Sequence, residues 1–510
     1  MPEGVVLYCH FVPPKGVEHA AMIALQPELR PSFSTVYGPK DYRDFRDLLM
    51  EMDRILLTTG VEANFVARHI SSNPLLSKRR TPQAAAIAVT KALRHSILLG
   101  VTCLSHRELA IRVADSELLQ WFTGTTRIDG ARPVSKSTIE RFEKMFPDGE
   151  VTELIHDLTR CCADAKAAEE VLMRETALRL DRIFADTTCV KANIHFPVDW
   201  VLLRDAVRTL VKAIGVIRSH GIRYRIGDPA GFLRRMNKMC IEMTHLRKKP
   251  DAPKKRKVVL RRMKKLTKTV ERQAWNYHRE LTARWKQTDL SEAEAQVILN
   301  RMEEVLDQLP EAVARAHERI IGGRKVKNRD KILSLHEPDI HVLVRGKSGA
   351  EVEFGNGLYL AEQDDGLIVD WLIIKEQPPG DGKLVFGSIE RLTAEYGKPA
   401  SYATDRGFDS SDNRLDLERL GTFNAICPRS VPLFEERLKD EFFCLLQKRR
   451  GGTEARIAIF KNAYLGKPLR SKGFKNRRTR IEWCVLAHNL CKLAEMAMEG
   501  RRRLLESKSA

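Results

Sequence analysis

Two short apolar runs each close on an aspartate: Arg182-Ile183-Phe184-Ala185-Asp186 and Ser401-Tyr402-Ala403-Thr404-Asp405. Runs of this length, carrying β-branched and aromatic residues and bounded by polar ones, read as strands. The two aspartates are 219 residues apart. The interval opens with a long stretch of helical character, 199–330, so any sheet that joins the two strands is interrupted by an insertion.

Strand-like patterns resume after Asn328. Ile340-His341-Val342-Leu343-Val344 alternates, and the apolar runs 357–361 and 367–374 flank Asp364-Asp365-Gly366, a good hairpin turn. A helix is expected near 383–396, then the Asp405 strand, a helix near 411–420 and a strand at 423–427. The tail reads as helices near 433–448, 453–464 and 479–499. Strand, insert, hairpin, helix, strand, helix, strand, helix is the order of an α/β RNase H-like catalytic domain interrupted by a long helical insert. An all-α N-terminal domain precedes it. Its signs are the helical spacing of Phe45, Leu48, Leu49, Met52 and Leu56, Pro82 at a helix start, and Ser105-His106-Arg107-Glu108, which resembles a capping box.

The expected boundaries are an irregular segment 1–40, a helical DNA-binding domain 41–150, a lead-in helix (about 151–180) and first strand within 151–198, the basic helical insert 199–330, the remainder of the catalytic domain 331–500, and a basic tail 501–510. Short helices joined by tight turns in 41–150 suit a helix-turn-helix reader. There is no run of about eighteen apolar residues, so no membrane span is expected, and the N-terminus lacks the pattern of a signal peptide. The ten cysteines include no Cys-x-x-Cys pair, and are expected to be reduced and buried.

Charge narrows the function. The chain carries a formal +20, which points to a polyanionic partner. The charge is concentrated: residues 201–330 hold 32 Lys and Arg against 15 Asp and Glu, residues 455–510 hold 14 against 4, and the rest is net acidic. In the insert, Lys254, Lys255, Arg256, Lys257, Arg261, Arg262, Lys264 and Lys265 are dense enough to form a phosphate-contacting surface, with almost nothing among them to read bases. Near the C-terminus, Lys472, Lys475, Arg477 and Arg478 belong to a second basic stretch, around Phe474, expected to act as a flexible DNA clamp.

A third acid, Glu454, follows Asp405 by 49 residues in Gly451-Gly452-Thr453-Glu454 and is expected on a helix. Two strand-borne aspartates and a helix-borne glutamate, brought together, make an oxygen site for two Mg²⁺ ions, suited to in-line attack at a phosphodiester. Arg450 lies four residues before Glu454 and Lys461 seven after it. On a continuous helix these offsets share one face, although Gly451 and Gly452 weaken the helix there. Cations on either side of a metal-binding carboxylate can hold substrate phosphates in register.

At these residues the chain resembles a family. Arg450-Gly-Gly-Thr-Glu454-Ala-Arg-Ile-Ala-Ile-Phe-Lys461 is similar to the Arg-x₃-Glu-x₆-Lys signature of bacterial insertion-sequence DDE transposases. Ala185-Asp186-Thr187-Thr188 and Thr404-Asp405-Arg406-Gly407-Phe408-Asp409 look like that family's two aspartate motifs, and the tail 483–490 resembles its closing helix. A Tyr often found three residues before the Arg is Gln447 here. The resemblance implies an enzyme that nicks the ends of its own element and joins the freed 3′-hydroxyls to target DNA. Asp186, Asp405 and Glu454 would hold Mg²⁺, with Mn²⁺ expected to substitute, and Arg450 and Lys461 would position phosphates. Double-stranded DNA, as terminal inverted repeats and target, is the implied partner. A homodimer on DNA and a place in the bacterial cytoplasm at the nucleoid are likewise expected. A nuclease that cuts without joining, and a domesticated DNA-binding protein without activity, are the alternative readings.

Overall fold

The computed structural model describes residues 38–74, 76, 81–127, 130–224, 227–246, 251–347 and 350–509. The irregular segment expected at 1–40 falls almost wholly outside them. The chain is mixed α/β and rich in helix, and it divides into two compact units.

Among the described residues, the first unit holds those up to Leu99, Leu104–Ala177 and those from Leu490 onward. It is helical, as expected, apart from a two-residue ladder of β1 (Thr126–Arg127) and β2 (Gly130–Ala131). In the helix Lys40–Thr58, Leu49, Met52 and Leu56 of the expected stripe are buried. The capping box is present: Ser105 Oγ accepts from the Glu108 N–H, and Glu108 Oε2 accepts from the Ser105 N–H at 2.8 Å. The helix Pro82–Thr102 is long and apolar enough by length and composition to cross a membrane, but 67% of its most apolar eighteen-residue window is buried inside the protein, as in a core helix. It also carries buried Arg94, which donates to both oxygens of Glu62 at 2.7 Å.

The long helix expected over about 151–180 is two helices, Glu150–Ala163 and Ala165–Leu172. Asp164 divides them. Its side chain accepts from the N–H groups of Lys166 and Ala167 and so starts the second helix.

The second unit, Gly100–Cys103 and Leu178–Asn489, holds a six-stranded mixed sheet and the insert. The strands are β3 (Arg182–Lys191), β4 (His341–Lys347), β5 (Ala350–Glu362), β6 (Ile368–Ile373), β7 (Ser401–Thr404) and β8 (Phe423–Ile426). Their order is β4-β5-β3-β7-β8, with β6 pairing the same edge of β5 further along. β5 runs antiparallel to β3, whereas β7 and β8 run parallel to β3. Helices cover both faces. Ile183, Ala185, Tyr402 and Ile426 pack with Val385, Ile389 and Leu417 on one side. Phe184, Ala403 and Ala425 pack with Phe443 and Leu446 on the other.

The insert is a helical bundle with its own core. The helices Asp199–Ser219, Pro229–His245, Ala252–Arg284 and Glu292–Ala316 bury Leu203, Leu210, Met236, Met263, Tyr277 and Leu306 among their neighbours. The Tyr277 hydroxyl donates to the Tyr224 carbonyl at 2.7 Å, which pins a loop to the third helix. The tail differs from expectation in its segmentation. The segment expected as 433–448 is Val431–Arg437 and Glu441–Arg450, with Asp440 capping the second helix. The last helix begins earlier and runs longer than expected, Phe474–Ser509.

Candidate active site

The register of β3 and β7 builds the site. Phe184 pairs with Ala403. Two residues further along stand Asp186, within β3, and Asp405, one residue past the end of β7. Side chains two apart share a face and neighbouring strands run about 4.8 Å apart, so both aspartates leave the sheet on the face of Phe184 and Ala403. That face is covered by Glu441–Arg450. Asp405 caps a short turn and its Oδ1 accepts from the Gly407 N–H at 2.8 Å. Asp186 Oδ1 accepts from the Thr187 N–H at 2.7 Å.

Electrostatics ties the remaining groups to this pair. Burial pushes the Asp186 carboxyl up to about 6, and the negative charges of Asp405 and Glu454 push in the same direction; the Thr187 N–H bond and the Arg450 charge oppose them. Asp405, Glu454 and Arg450 are therefore all close enough to act on Asp186. Two nitrogens of the Arg450 guanidinium, Nε and Nη1, are covered and have no hydrogen-bond acceptor. Lys461 Nζ donates to Thr188 Oγ1 at 3.0 Å, two residues beyond Asp186 on the same face of β3.

The three signature residues do not lie on one continuous helix. Arg450 ends Glu441–Arg450, Glu454 stands in the first turn of Thr453–Ile459, and Lys461 lies in the wider π-helical turn Phe460–Leu465. The break falls at Gly451-Gly452. Arg450 and Glu454 nonetheless act on Asp186, and Lys461 reaches Thr188 two residues beyond it. Gln447 donates to the Thr404 carbonyl at 3.1 Å and to the Ala425 carbonyl, fixing its helix over the ends of β7 and β8.

Sequence reasoning missed two carboxylates. Glu362, 5% exposed at the end of β5, pairs in register with Phe184. It accepts from Arg449 Nη1 at 3.0 Å, Thr453 Oγ1 at 2.7 Å and Arg456 Nε at 2.8 Å, so it holds the turn that presents Arg450 and Glu454. The only sequence signal was an acid closing an apolar run, as at Asp186. Asp381 follows a Pro-Pro-Gly stretch and looks like an ordinary turn acid. Its Oδ1 accepts from the Thr187 hydroxyl at 3.0 Å. A methyl group placed on Gly407 would meet Asp405 Oδ1 at 3.0 Å and Asp381 Oδ2 at 3.1 Å, so these two carboxylates edge the same small space.

The donor set suits a hard cation. All the converging acids offer oxygen, and a positive ion would relieve the repulsion that raises Asp186. Among the described residues no three acidic, His or Cys side chains stand close enough to enclose an ion by themselves. Mg²⁺ is commonly held by only one or two carboxylates, with water and substrate oxygens completing the octahedron. Asp186 and Asp405 meet that requirement, and Glu454, exposed at its helix start, stands within electrostatic range of them.

The basic surfaces divide unevenly. On the helix Ala252–Arg284, Lys254, Lys255, Arg261, Arg262 and Lys265 are exposed, while Val259, Leu260 and Met263 form its buried side. Arg256, Lys257 and Lys264 are half-buried, Arg256 lying over the Trp200 ring at 4.7 Å and Lys264 Nζ 2.8 Å from His317 Nδ1. Arg247, Lys248 and Lys249 lie outside the described residues. The flexible clamp expected near the C-terminus needs correction. Residues from Phe474 on are helical, and Arg477 is fully buried, paired with Glu337. Glu337 also accepts from the Gly473 N–H at 3.0 Å. Arg477 is thus out of reach of phosphate. Arg478 pairs with Glu482 at 3.1 Å, and Lys472 and Lys475 remain exposed. Periodicity explains the difference: Arg477, Arg480, Ile481 and Cys484 share the buried side of the helix.

His488 and Asn489, expected to be packing groups, are buried, and Asn489 bonds both the N–H and the carbonyl of Ile368 at 2.9 and 2.8 Å. No protein-family model, curated protein or solved structure matches the chain.

Proposed function

We propose that the chain is a DDE transposase with an RNase H-like catalytic domain, acting on double-stranded DNA. The observation that carries this is the β3–β7 register, which sets Asp186 and Asp405 side by side under a helix pair whose Glu454 and Arg450 act on Asp186. The central strand order, with β5 antiparallel and β7 and β8 parallel to β3, supports the fold assignment, and the insert enters after β3. Mg²⁺, or Mn²⁺ in its place, would be held by Asp186, Asp405 and Glu454, and when bound would supply an acidified attacking water or sugar hydroxyl and a stabilised leaving oxygen.

The chain's own residues do the positioning. Asp186, raised to about 6, is mostly ionised at neutral pH and would hold the cation in that charged form. Arg450, whose charge acts on Asp186, and Lys461, steadied by Thr188, would position the substrate phosphates. The exposed cations of the insert helix hold the duplex by its backbone, without reading sequence. A homodimer pairing two element ends in the bacterial nucleoid completes the reading.

The test is incubation with Mg²⁺ and the DNA that immediately flanks the gene, where the proposal expects inverted repeats. Cleavage with joined products supports the proposal. Cleavage alone identifies a nuclease, and binding alone a non-catalytic DNA-binding protein.

A further inference from the structure

We propose that a cleft between the exit of β3 and the start of the helix Ala252–Arg284 binds an unpaired DNA strand, with phosphates on a cationic wall and a base against Phe196. The inference rests on the reading that the chain handles DNA, and adds to it a second, strand-selective site outside the carboxylate centre.

The cleft measures about 860 Å³ and is walled by three separate stretches, Phe196–Trp200, Pro253–Lys257 and Arg319–Lys331. Arg256, Lys257, Arg319, Arg324, Lys325 and Lys331 line it, and Asp199 is its single carboxylate. Asp199 is already engaged by Arg319 at 2.9 Å. Among the described residues no acidic side chain pairs with Lys257, Arg324 or Lys325. Two long helices, Asp199–Ser219 and Ala252–Arg284, also begin at the cleft and add the partial positive charge of their N-termini. Uncompensated positive charge at this density calls for an anionic occupant.

The aromatic residues say which one. Trp200 lines the cleft, is 9% exposed, and its indole N–H has no acceptor. Phe196 stands at the cleft with 72% of its surface exposed, held edge-on against Phe354 at 5.4 Å. A free aromatic face beside a phosphate-binding groove is what single-strand binding uses, since every base can stack on it. The cleft is small. A space of 860 Å³ would be about 12 Å across as a sphere, no wider than the major groove alone. One or two nucleotides fit. Phe196 follows Asp186 by ten residues, so the cleft lies at most about 36 Å from the carboxylates, within reach of one DNA molecule.

The experiment measures anisotropy of a labelled oligothymidylate and of a duplex of equal length, with full-length wild type, Phe196→Ala and the double variant Arg324→Glu/Lys325→Glu. These three side chains are exposed, so the fold should be retained, which circular dichroism checks. Phe196→Ala should weaken strand binding about tenfold and leave duplex binding unchanged. The double variant should weaken strand binding further and lower the log–log salt slope by about 0.7 for each phosphate no longer neutralised. Unchanged strand affinity in both variants overturns the proposal. So do equal losses for strand and duplex, and so does displacement of the strand by pyrophosphate at equal phosphate concentration, which would mark a site for free polyphosphate. Mg²⁺-dependent cutting by wild type is followed in parallel. Strand binding that depends on Phe196 in a protein that never cuts DNA would remove the transposase reading and keep the cleft, whereas cutting with indifferent cleft variants would do the reverse.

Discussion

Arg456 Nε lies 2.8 Å from Glu362 Oε1 and 2.9 Å from Oε2, which locks the helix bearing Glu454 to the end of β5. Arg449 reaches the same carboxylate and lies over the Phe184 ring at 4.4 Å. The two arginines flank Arg450 and Glu454 in sequence, so one buried acid sets the position of the whole signature segment. Glu362→Gln should therefore destabilise the protein by on the order of 3 kcal/mol, since it leaves partly buried guanidinium groups without their counter-charge. Urea denaturation followed by far-UV circular dichroism should show the midpoint falling. An unchanged midpoint would mean that the pairs contribute little.

Asp186→Asn should abolish cutting and yet stabilise the metal-free protein. The folded carboxyl is raised from 3.8 to about 6, so folding favours the protonated form. The penalty on the charged form is absent below about pH 4, grows as pH rises through 6, and is complete above it. A shift of about two units corresponds to roughly 3 kcal/mol at most. Thermal melts without metal should show the variant above wild type at pH 8 and level with it at pH 4. Adding Mg²⁺ should raise the wild-type midpoint and leave the variant's unchanged.

Gly407→Ala should slow cutting about tenfold with little loss of stability. The new methyl would stand about 3 Å from oxygens of both Asp405 and Asp381, and those carboxylates would have to move by tenths of an ångström. Single-turnover cleavage beside a thermal melt separates the two effects. A wild-type rate would show that the spacing of these two acids is not used.

Arg450→Ala and Lys461→Ala should each lower the cleavage rate by about a hundredfold while changing DNA affinity only slightly, as expected for cations acting at the reacting phosphate. Single-turnover rates and anisotropy on the same DNA make the comparison. Equal losses in rate and affinity would assign both residues to general backbone binding.

Neutralising Lys254, Lys255, Arg261 and Lys265 together should weaken binding to related and unrelated duplexes alike, with a salt slope reduced by about 0.9 for each phosphate no longer neutralised. These four are exposed, whereas Arg256 is committed to the Trp200 ring. Affinity that holds steady across a salt titration would assign this face of the insert to another partner.

The strands at Asp186 and Asp405 were legible because each is a short apolar run closing on an acid, and the helix at Ser411–Leu420 because its boundaries carry their own caps. Asp164 and Asp440 were harder to see as breaks, since a capping acid inside a helical pattern resembles any surface acid. Among the cations, density concealed periodicity: Arg477 sits in a basic run but on the buried side of its helix. Glu362 and Asp381 stayed hidden because their roles depend on strand register and on a neighbouring turn, which a linear pattern does not encode.

The most direct test compares wild type with Asp186→Asn, Asp405→Asn and Glu454→Gln in one Mg²⁺-dependent DNA cleavage assay, with binding measured on the same DNA. Each substitution keeps the shape of the side chain and removes the charge that would hold the ion. The account predicts that all three bind DNA as wild type does and that none cuts it. Wild-type cutting by any one of them would contradict a site built from these three carboxylates.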